Sequence, residues 1–209
     1  MIERQFIDLE GGSATSPRVT HLTDAKALQW SGVVHLKTHE RFALSGTWRQ
    51  DVYVLRGSVR DAEGILLSKG DFVSGSKGGL LTADDGPATL FLYCEPSTAR
   101  GRTHRVPASA RSWHAARAAL MDVATLSDDG HGVSLVRWRP GATVPLHAHR
   151  SGEEILVLEG ELRSGEERYP AGTWLRLHPD STHAPFATTR TLILLRNGHL
   201  RSSGLARAA

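Results

Sequence analysis

The sequence predicts an all-β fold, and two observations support this prediction. Apolar runs of four to seven residues recur along the chain between glycine- and aspartate-rich breaks; examples are residues 133–138, 155–158, 173–177 and 192–195. Runs of this length with such breaks are typical of strands joined by turns. The same pattern also occurs twice, which indicates that the fold is duplicated.

The two halves of the sequence match each other at a spacing of about 100 residues. Three pairs of segments carry the match: residues 52–57 with 155–160, 69–72 with 171–174, and 89–92 with 191–194. A repeat of this length corresponds to a whole domain rather than to one unit of a solenoid. We therefore predict two tandem small β-barrels.

The predicted barrels span residues 15–98 and 110–200, with a linker at residues 99–109 where proline, glycine and serine interrupt the strand pattern. Residues 109–120 are rich in alanine and arginine and fit either a short helix or an extended crossover. Residues 128–130, Asp-Asp-Gly, have turn composition and predict a hairpin. We expect the tail from Arg201 to be loose.

The composition is typical of a globular protein, since 40% of the 209 residues are hydrophobic and 22% are charged. The net charge is only +3 and the arginines are scattered, which disfavours a nucleic-acid partner. Residues 1–6 carry charges where a secretory signal has an apolar run, and no run approaches the roughly 18 apolar residues of a membrane span. The single cysteine, Cys94, is expected to be a buried hydrophobe. We predict a cytoplasmic protein without membrane contact.

The segment from Gly141 to Gly160 contains the residues that predict chemistry. On an extended strand, residues two apart point to the same face, so His147 and His149 can present two imidazoles to one point. After a turn, Glu153 shares a face with Ile155 and Val157, whereas Glu154 points the other way. We therefore predict that Glu153 joins the histidines and that Glu154 is solvated on the outer surface.

Downstream, residues 172–183 indicate a strand, a turn and then His183, which can close the site. Three neutral imidazoles and one carboxylate are typical ligands of iron, zinc, manganese, nickel or copper, and they disfavour calcium and magnesium. His147, His149, Glu153 and His183 are thus predicted to bind one divalent transition metal, whose identity the ligands do not determine. His178, in the turn, is expected to have a surface or supporting role.

The spacing Gly141, five residues, His147-x-His149, three residues, Glu153, six residues, Gly160 resembles the first motif of the cupin family, and residues 172–183 resemble its second. The second motif departs from the family because Asp180 stands where glycine is usual; aspartate tolerates left-handed backbone, so the turn can be kept. Residues 152–160 and 169–174 are similar to ChrR-type cupins, a group that includes the cupin part of ChrR anti-sigma factors and acetylacetone dioxygenase-like bicupins. The resemblance implies two jelly-roll barrels.

The first half lacks the predicted ligands. The repeat places Leu44, Gly46, Gln50 and Leu81 where the second half has His147, His149, Glu153 and His183. These side chains are not good metal ligands. The first barrel is therefore predicted to be degenerate, with side chains filling its interior.

The resemblance implies two classes of function. One is a metal-dependent oxygenase or lyase that acts on a small enolisable or carbonyl compound, with Glu153 available to take a proton. The other is a non-catalytic sensor or regulatory module like ChrR, or a module that binds a small ligand. The predicted pocket contains Ile155, Val157, Trp174 and Phe186. The oligomeric state does not follow from the sequence, although β-barrels with edge strands often pair, so a homodimer is one option.

Overall fold

The computed structural model describes residues 1–9, 19–97, 103–127 and 132–200. It divides into two compact units: the first unit is residues 8–111, and the second unit is residues 1–7 together with residues 112–209. Both are built from β-strands, so the all-β prediction is confirmed. The predicted turn at residues 128–130, the tail from Arg201 and the proposed barrel boundaries at residues 15 and 98 lie outside the described residues.

The N-terminal strand of the chain, β1 (Ile2–Phe6), belongs to the second unit. The strands of the first unit are β2 (Val19–His21), β3 (Trp30–Leu36), β4 (Arg41–Leu44), β5 (Trp48–Arg56), β6 (Ser58–Arg60), β7 (Leu66–Ser68), β8 (Phe72–Gly75), β9 (Gly79–Ala83), β10 (Ala88–Pro96) and β11 (His104–Val106). They form a six-stranded sheet in the order β11-β8-β5-β10-β3-β2 and a four-stranded sheet in the order β4-β9-β6-β7.

The remaining strands of the second unit are β12 (His114–Ala115), β13 (Met121–Ser127), β14 (Val133–Trp138), β15 (His147–Ala148), β16 (Glu153–Glu159), β17 (Glu161–Ser164), β18 (Glu167–Pro170), β19 (Thr173–Leu177), β20 (Thr182–His183), β21 (Pro185–Phe186) and β22 (Thr191–Asn197). Seven strands form a sheet in the order β1-β19-β16-β22-β14-β13-β12. Smaller sheets pair β15 with β20 and order β18-β17-β21.

The sequence repeat corresponds to a repeat of structure. The order β8-β5-β10-β3 in the first unit matches β19-β16-β22-β14 in the second. Gly70 N donates to Val54 O and Gly172 N donates to Val157 O, both at 2.8 Å. These are equivalent residues in the repeat.

The segment at residues 109–120 contains a 3-10 turn at Ala108–Ala110, the short strand β12, and bends and turns before β13. The predicted short helix is therefore limited to that 3-10 turn. Cys94 is buried in the core of the first unit, as expected. Among the described residues there is no helix that combines the length and the apolar character needed to span a membrane.

Strand β1 was not anticipated. It pairs antiparallel with β19, from Ile2 opposite Leu177 to Phe6 opposite Thr173. It lies at the edge of the sheet, and four of its five residues are exposed. Its sequence, IERQF, lacks the alternation of apolar and polar residues that predicts a half-buried strand. This is why the strand was not predicted. The second unit thus includes a strand that is distant from it in sequence.

Apolar side chains fill the second unit on one face of its large sheet. Ile155 and Val157 of β16 belong to the same buried cluster as Leu175 and Leu177 of β19 and Ile193 of β22. Burial of each such side chain contributes about 1.5–3 kcal/mol. This cluster fixes which face of β16 points inward, and Glu153 lies on that face.

Two glycines of the second unit provide a test of this packing. Both have positive φ, +73° at Gly160 and +57° at Gly165, but a Cβ on Gly160 would lie 2.1 Å from Arg190 O, whereas one on Gly165 would meet nothing within 4 Å. Gly165→Ala should cost about 1 kcal/mol of unfolding free energy, from backbone strain alone. Gly160→Ala should cost several times more. Denaturant unfolding measures both, and equal costs would contradict the close approach.

Candidate metal centre

A short two-stranded pair brings the three predicted histidines together. Strand β15 pairs with β20 so that His147 lies opposite His183. His149 follows directly after β15, and its backbone N–H donates to Ser181 O at 3.2 Å. Asp180 N–H donates to His149 O at 2.9 Å. The segments that carry the histidines are therefore fixed to each other by backbone hydrogen bonds.

Asp180 has φ of +65°, so the turn before His183 adopts the left-handed conformation that glycine usually supplies. This confirms the expectation that aspartate preserves the turn. The turn before Glu153 is also constrained: Gly152 has φ of +68°, and a Cβ there would lie 2.6 Å from the side chain of Leu200. Leu200 N–H donates to Ser151 O at 2.9 Å, so residues 198–200 pack against this turn.

The three imidazoles converge through their Nε2 atoms. His183 Nε2 lies 2.9 Å from His149 Nε2 and 3.2 Å from His147 Nε2. His147 Nδ1 lies 2.8 Å from the carbonyl oxygen of Pro145. A carbonyl oxygen only accepts, so Nδ1 carries the proton there and the Nε2 lone pair of His147 faces the other histidines. This orientation is typical of a metal-ligating histidine.

Glu153 adds a carboxylate to the cluster. It is the first residue of β16, is only 5% exposed, and its Oε2 lies 2.8 Å from His149 Nε2 and 3.6 Å from His183 Nε2. Oε2 is buried, yet no hydrogen bond of acceptable geometry reaches it. A buried carboxylate oxygen without a hydrogen bond costs free energy unless a cation or donor satisfies it.

The electrostatics of the cluster favour a neutral His183 imidazole. Burial is the largest cause, and together with the neighbouring His149 and His147 it lowers the pKa of His183 to about 3. His183 is therefore neutral near pH 7, which is the form that binds metals.

The residues fit a transition metal. Two bonds of about 2.1 Å at a right angle place their ligand atoms about 3.0 Å apart. The separations of 2.8–3.2 Å between His149 and Glu153, His149 and His183, and His147 and His183 are close to that value. The orphaned Oε2 of Glu153 supplies an anionic donor. Among the described residues, His147, His149 and His183 form the one group of three close metal-binding side chains.

The burial of Glu154 contradicts one prediction from the sequence. We predicted a solvated carboxylate, but Glu154 is 0% exposed. Its Oε1 accepts from Arg176 Nε at 2.8 Å and from a second Arg176 nitrogen, and lies 3.1 Å from His199 Nε2. Burial lowers the pKa of His199 even though the Glu154 carboxylate favours its protonation. The parity of the strand was predicted correctly, but the second face of β16 is buried as well.

The four predicted pocket residues lie in three places. Ile155 and Val157 share the face of Glu153 and are fully packed in the core. Trp174 lies opposite Leu156 in the strand register, on the face of Arg176 and Glu154 rather than that of Glu153. Phe186 is half-buried and lines a pocket of about 600 Å³ formed by residues 141–145 and 184–188. Trp174 is therefore not brought to the histidines.

The equivalent positions of the first unit carry no comparable cluster. Leu81 is buried in its core and Leu44 packs against the same core. Gln50 is buried and lines a small cavity together with Leu44, Gly78 and Lys77. These side chains lack the donors of a transition-metal site.

Residues 101–201 match the family model described as the ChrR cupin-like domain. No curated protein matches the chain in sequence. Among solved structures, the chain is similar to a cupin 2 conserved barrel domain protein from Leptotrichia buccalis, with 13% identity, a TM-score of 0.64, and coverage of 86% of this chain and 88% of that one.

Two enzymes have a similar fold. A mutant of oxalate decarboxylase from Bacillus subtilis aligns with a TM-score of 0.66 and 11% identity, over 96% of this chain and 78% of that one. Quercetin 2,3-dioxygenase from Acinetobacter baumannii aligns with a TM-score of 0.64 and 9% identity, over 95% of this chain and 79% of that one. At these identities the likeness concerns the fold.

The burial of Glu154 can be tested independently of the metal. Glu154→Ala leaves the buried Arg176 guanidinium without the carboxylate that it contacts, and removing one partner of a buried ion pair costs about 3–5 kcal/mol. Glu167→Ala is the matched control, because Glu167 pairs with Arg4 at the exposed surface and such pairs contribute little. Chemical denaturation measures the unfolding free energy of both variants. If Glu154→Ala were as stable as the control, the buried ion pair would be refuted.

Proposed function

We propose that the chain is a member of the cupin superfamily, because residues 101–201 match the model of the ChrR cupin-like domain, and that its second unit binds one divalent transition metal through His147, His149, Glu153 and His183. The observation that carries this proposal is the convergence of three Nε2 atoms, two of which, those of His149 and His183, lie 2.8 and 3.6 Å from a buried carboxylate oxygen without a hydrogen bond. We further propose that the two units are tandem cupin barrels, a bicupin, in which the first has no metal. The repeated strand order supports this arrangement.

The activity that this site favours is that of an oxygenase or related lyase acting on a small enolisable or carbonyl compound. The metal would supply a Lewis acid that polarises a carbonyl oxygen of the substrate. The similarity in fold to quercetin 2,3-dioxygenase is compatible with this class of reaction. Four protein ligands leave further positions for a substrate on a five- or six-coordinate ion.

The residues of the chain have distinct roles in this proposal. His147, oriented by the Pro145 carbonyl, and neutral His183 hold the ion. Glu153 would also supply the base: on leaving the ion, its carboxylate would take a proton from the carbon next to a polarised carbonyl. Ile155 and Val157 continue the same face of β16 and keep that side of the site dry.

A second candidate function is a non-catalytic module that senses a metal or binds a small ligand. The match to the ChrR cupin-like domain favours this candidate. In such a module the metal would stabilise the turns at residues 149–153 and 178–183. Loss of the metal would destabilise these turns, and that loss would be the signal. The two candidate functions require the same metal ligands, but only the oxygenase or lyase converts a substrate.

Metal content tests the site that both candidate functions share. Protein purified without chelators should contain one metal per chain, and the His147→Ala, His149→Ala double variant should contain none, because two of the four donors are gone. The control is a His104→Ala, His114→Ala variant, which removes two histidines that lie on other strands. Metal content is measured by elemental analysis. Two metals per chain, or retention in the double variant, would contradict the site.

Oxygen uptake is then measured with β-diketones and flavonols. The oxygenase proposal predicts uptake by metal-loaded protein and none by the double variant. Full metal loading without turnover of either class of compound would reject the oxygenase and favour the non-catalytic module.

A further inference from the structure

The turn that leads to His183 is bonded to strand β1. His178 N–H donates to the carbonyl oxygen of Met1 at 3.1 Å, and Ser181 Oγ donates to the same oxygen at 2.7 Å. The side chains of His178 and Glu3 also meet, with Nε2 and Oε1 2.6 Å apart. Met1, the residue directly before β1, therefore contacts the turn through its carbonyl oxygen, and Glu3 of β1 contacts it through its side chain.

The same turn is bonded on its other side to the first ligand segment. Ser181 O accepts from His149 N–H, and Asp180 N–H donates to His149 O. Ser181 thus connects Met1, directly before β1, with His149: its hydroxyl bonds to Met1 and its carbonyl bonds to His149. Because Asp180 holds a left-handed conformation that costs free energy for a residue with a Cβ, this turn depends on its surroundings to keep its shape.

We propose that docking of strand β1 and metal binding are coupled, with Ser181 and Glu3 as positioning residues that set the places of His149 and His183. The inference rests on the proposed metal site. Neither residue touches the predicted ion; each acts by fixing the turn at residues 178–181. Because coupling between two binding events is reciprocal, the metal must also stabilise β1 on the sheet.

Strand β1 is suited to such coupling. It has five residues, lies at the sheet edge and pairs along one side only with β19. Ile7 anchors its end, since it is buried and its N–H donates to Gly172 O at 2.7 Å. Short, exposed edge segments open at low free-energy cost, so their opening responds to small changes in stability.

Variants of the positioning residues test whether the contacts of β1 with the turn affect metal binding. Ser181→Ala and Glu3→Ala should each lower the affinity for added Co²⁺ by about tenfold, on the scale of residues that support metal ligands, and should alter the visible spectrum of bound Co²⁺. Glu3→Gln, which can still hydrogen-bond to His178, should restore most of the affinity and the spectrum.

Two controls separate positioning from general loss of stability. Thr191→Ala removes a buried hydroxyl that donates to Glu161 O at 2.9 Å, at the opposite end of β22 from the site. Arg139→Ala removes an exposed ion pair with Asp122 of β13, a strand near the opposite edge of the sheet from β1. Both controls should keep the affinity and the spectrum of wild type, even where unfolding free energy falls.

Hydrogen exchange of the wild-type protein tests the reverse direction. Co²⁺ should slow exchange in residues 2–7, and leave exchange unchanged in residues 114–115, the opposite edge of the same sheet. If wild type binds no Co²⁺, the proposed metal site fails. If it binds Co²⁺ but residues 2–7 do not respond, or Ser181→Ala and Glu3→Ala keep wild-type affinity and spectrum, the coupling is wrong and the metal site stands.

Discussion

Strand β16 places two consecutive glutamates on opposite faces of one sheet, and both faces are buried. Glu153 points to His149 and His183, and Glu154 points to Arg176 and His199. A register shift of one residue would exchange these carboxylates and move Ile155 and Val157 out of the core. The position of the candidate metal centre therefore depends on the packing that fixes this strand.

The register of β16 also determines which side chains of the neighbouring strand β19 face the core. Leu175 and Leu177 of β19 pack with Ile155, which determines that Trp174 and Arg176 face the other way. Arg176 then lies beside Glu154, where a buried carboxylate needs a cationic partner. The apolar cluster and the buried ion pair thus specify the same register from the two faces of the sheet.

The sequence predicts much of this arrangement because spacing is a local property. The His147-x-His149 spacing and the alternation after Gly152 identify the residues that meet, and the repeated glycines indicate the duplicated strand order. The burial of Glu154 was not predictable in this way, since alternation tells which face a side chain occupies but not whether that face is covered. A polar residue following an inward-facing one is usually solvated in an antiparallel sheet.

Strand β1 was missed for a related reason. Its residues are largely exposed and its partner, β19, lies more than half the chain away, so neither periodicity nor a nearby turn indicates the pairing. Trp174 illustrates a further limit, because its face depends on the register of β19 against β16 rather than on its own sequence. Contacts between segments distant in sequence determine both the pairing of β1 and the face on which Trp174 lies.

The central claim is that Glu153, and not Glu154, completes the metal centre. Isothermal titration of the metal-free protein with Co²⁺ tests it most directly, comparing Glu153→Gln with Glu154→Gln, which make the same chemical change on the two faces of β16. The account predicts a loss of affinity of about 10–100-fold for Glu153→Gln and near wild-type affinity for folded Glu154→Gln. Equal affinities, or the larger loss in Glu154→Gln, would contradict it.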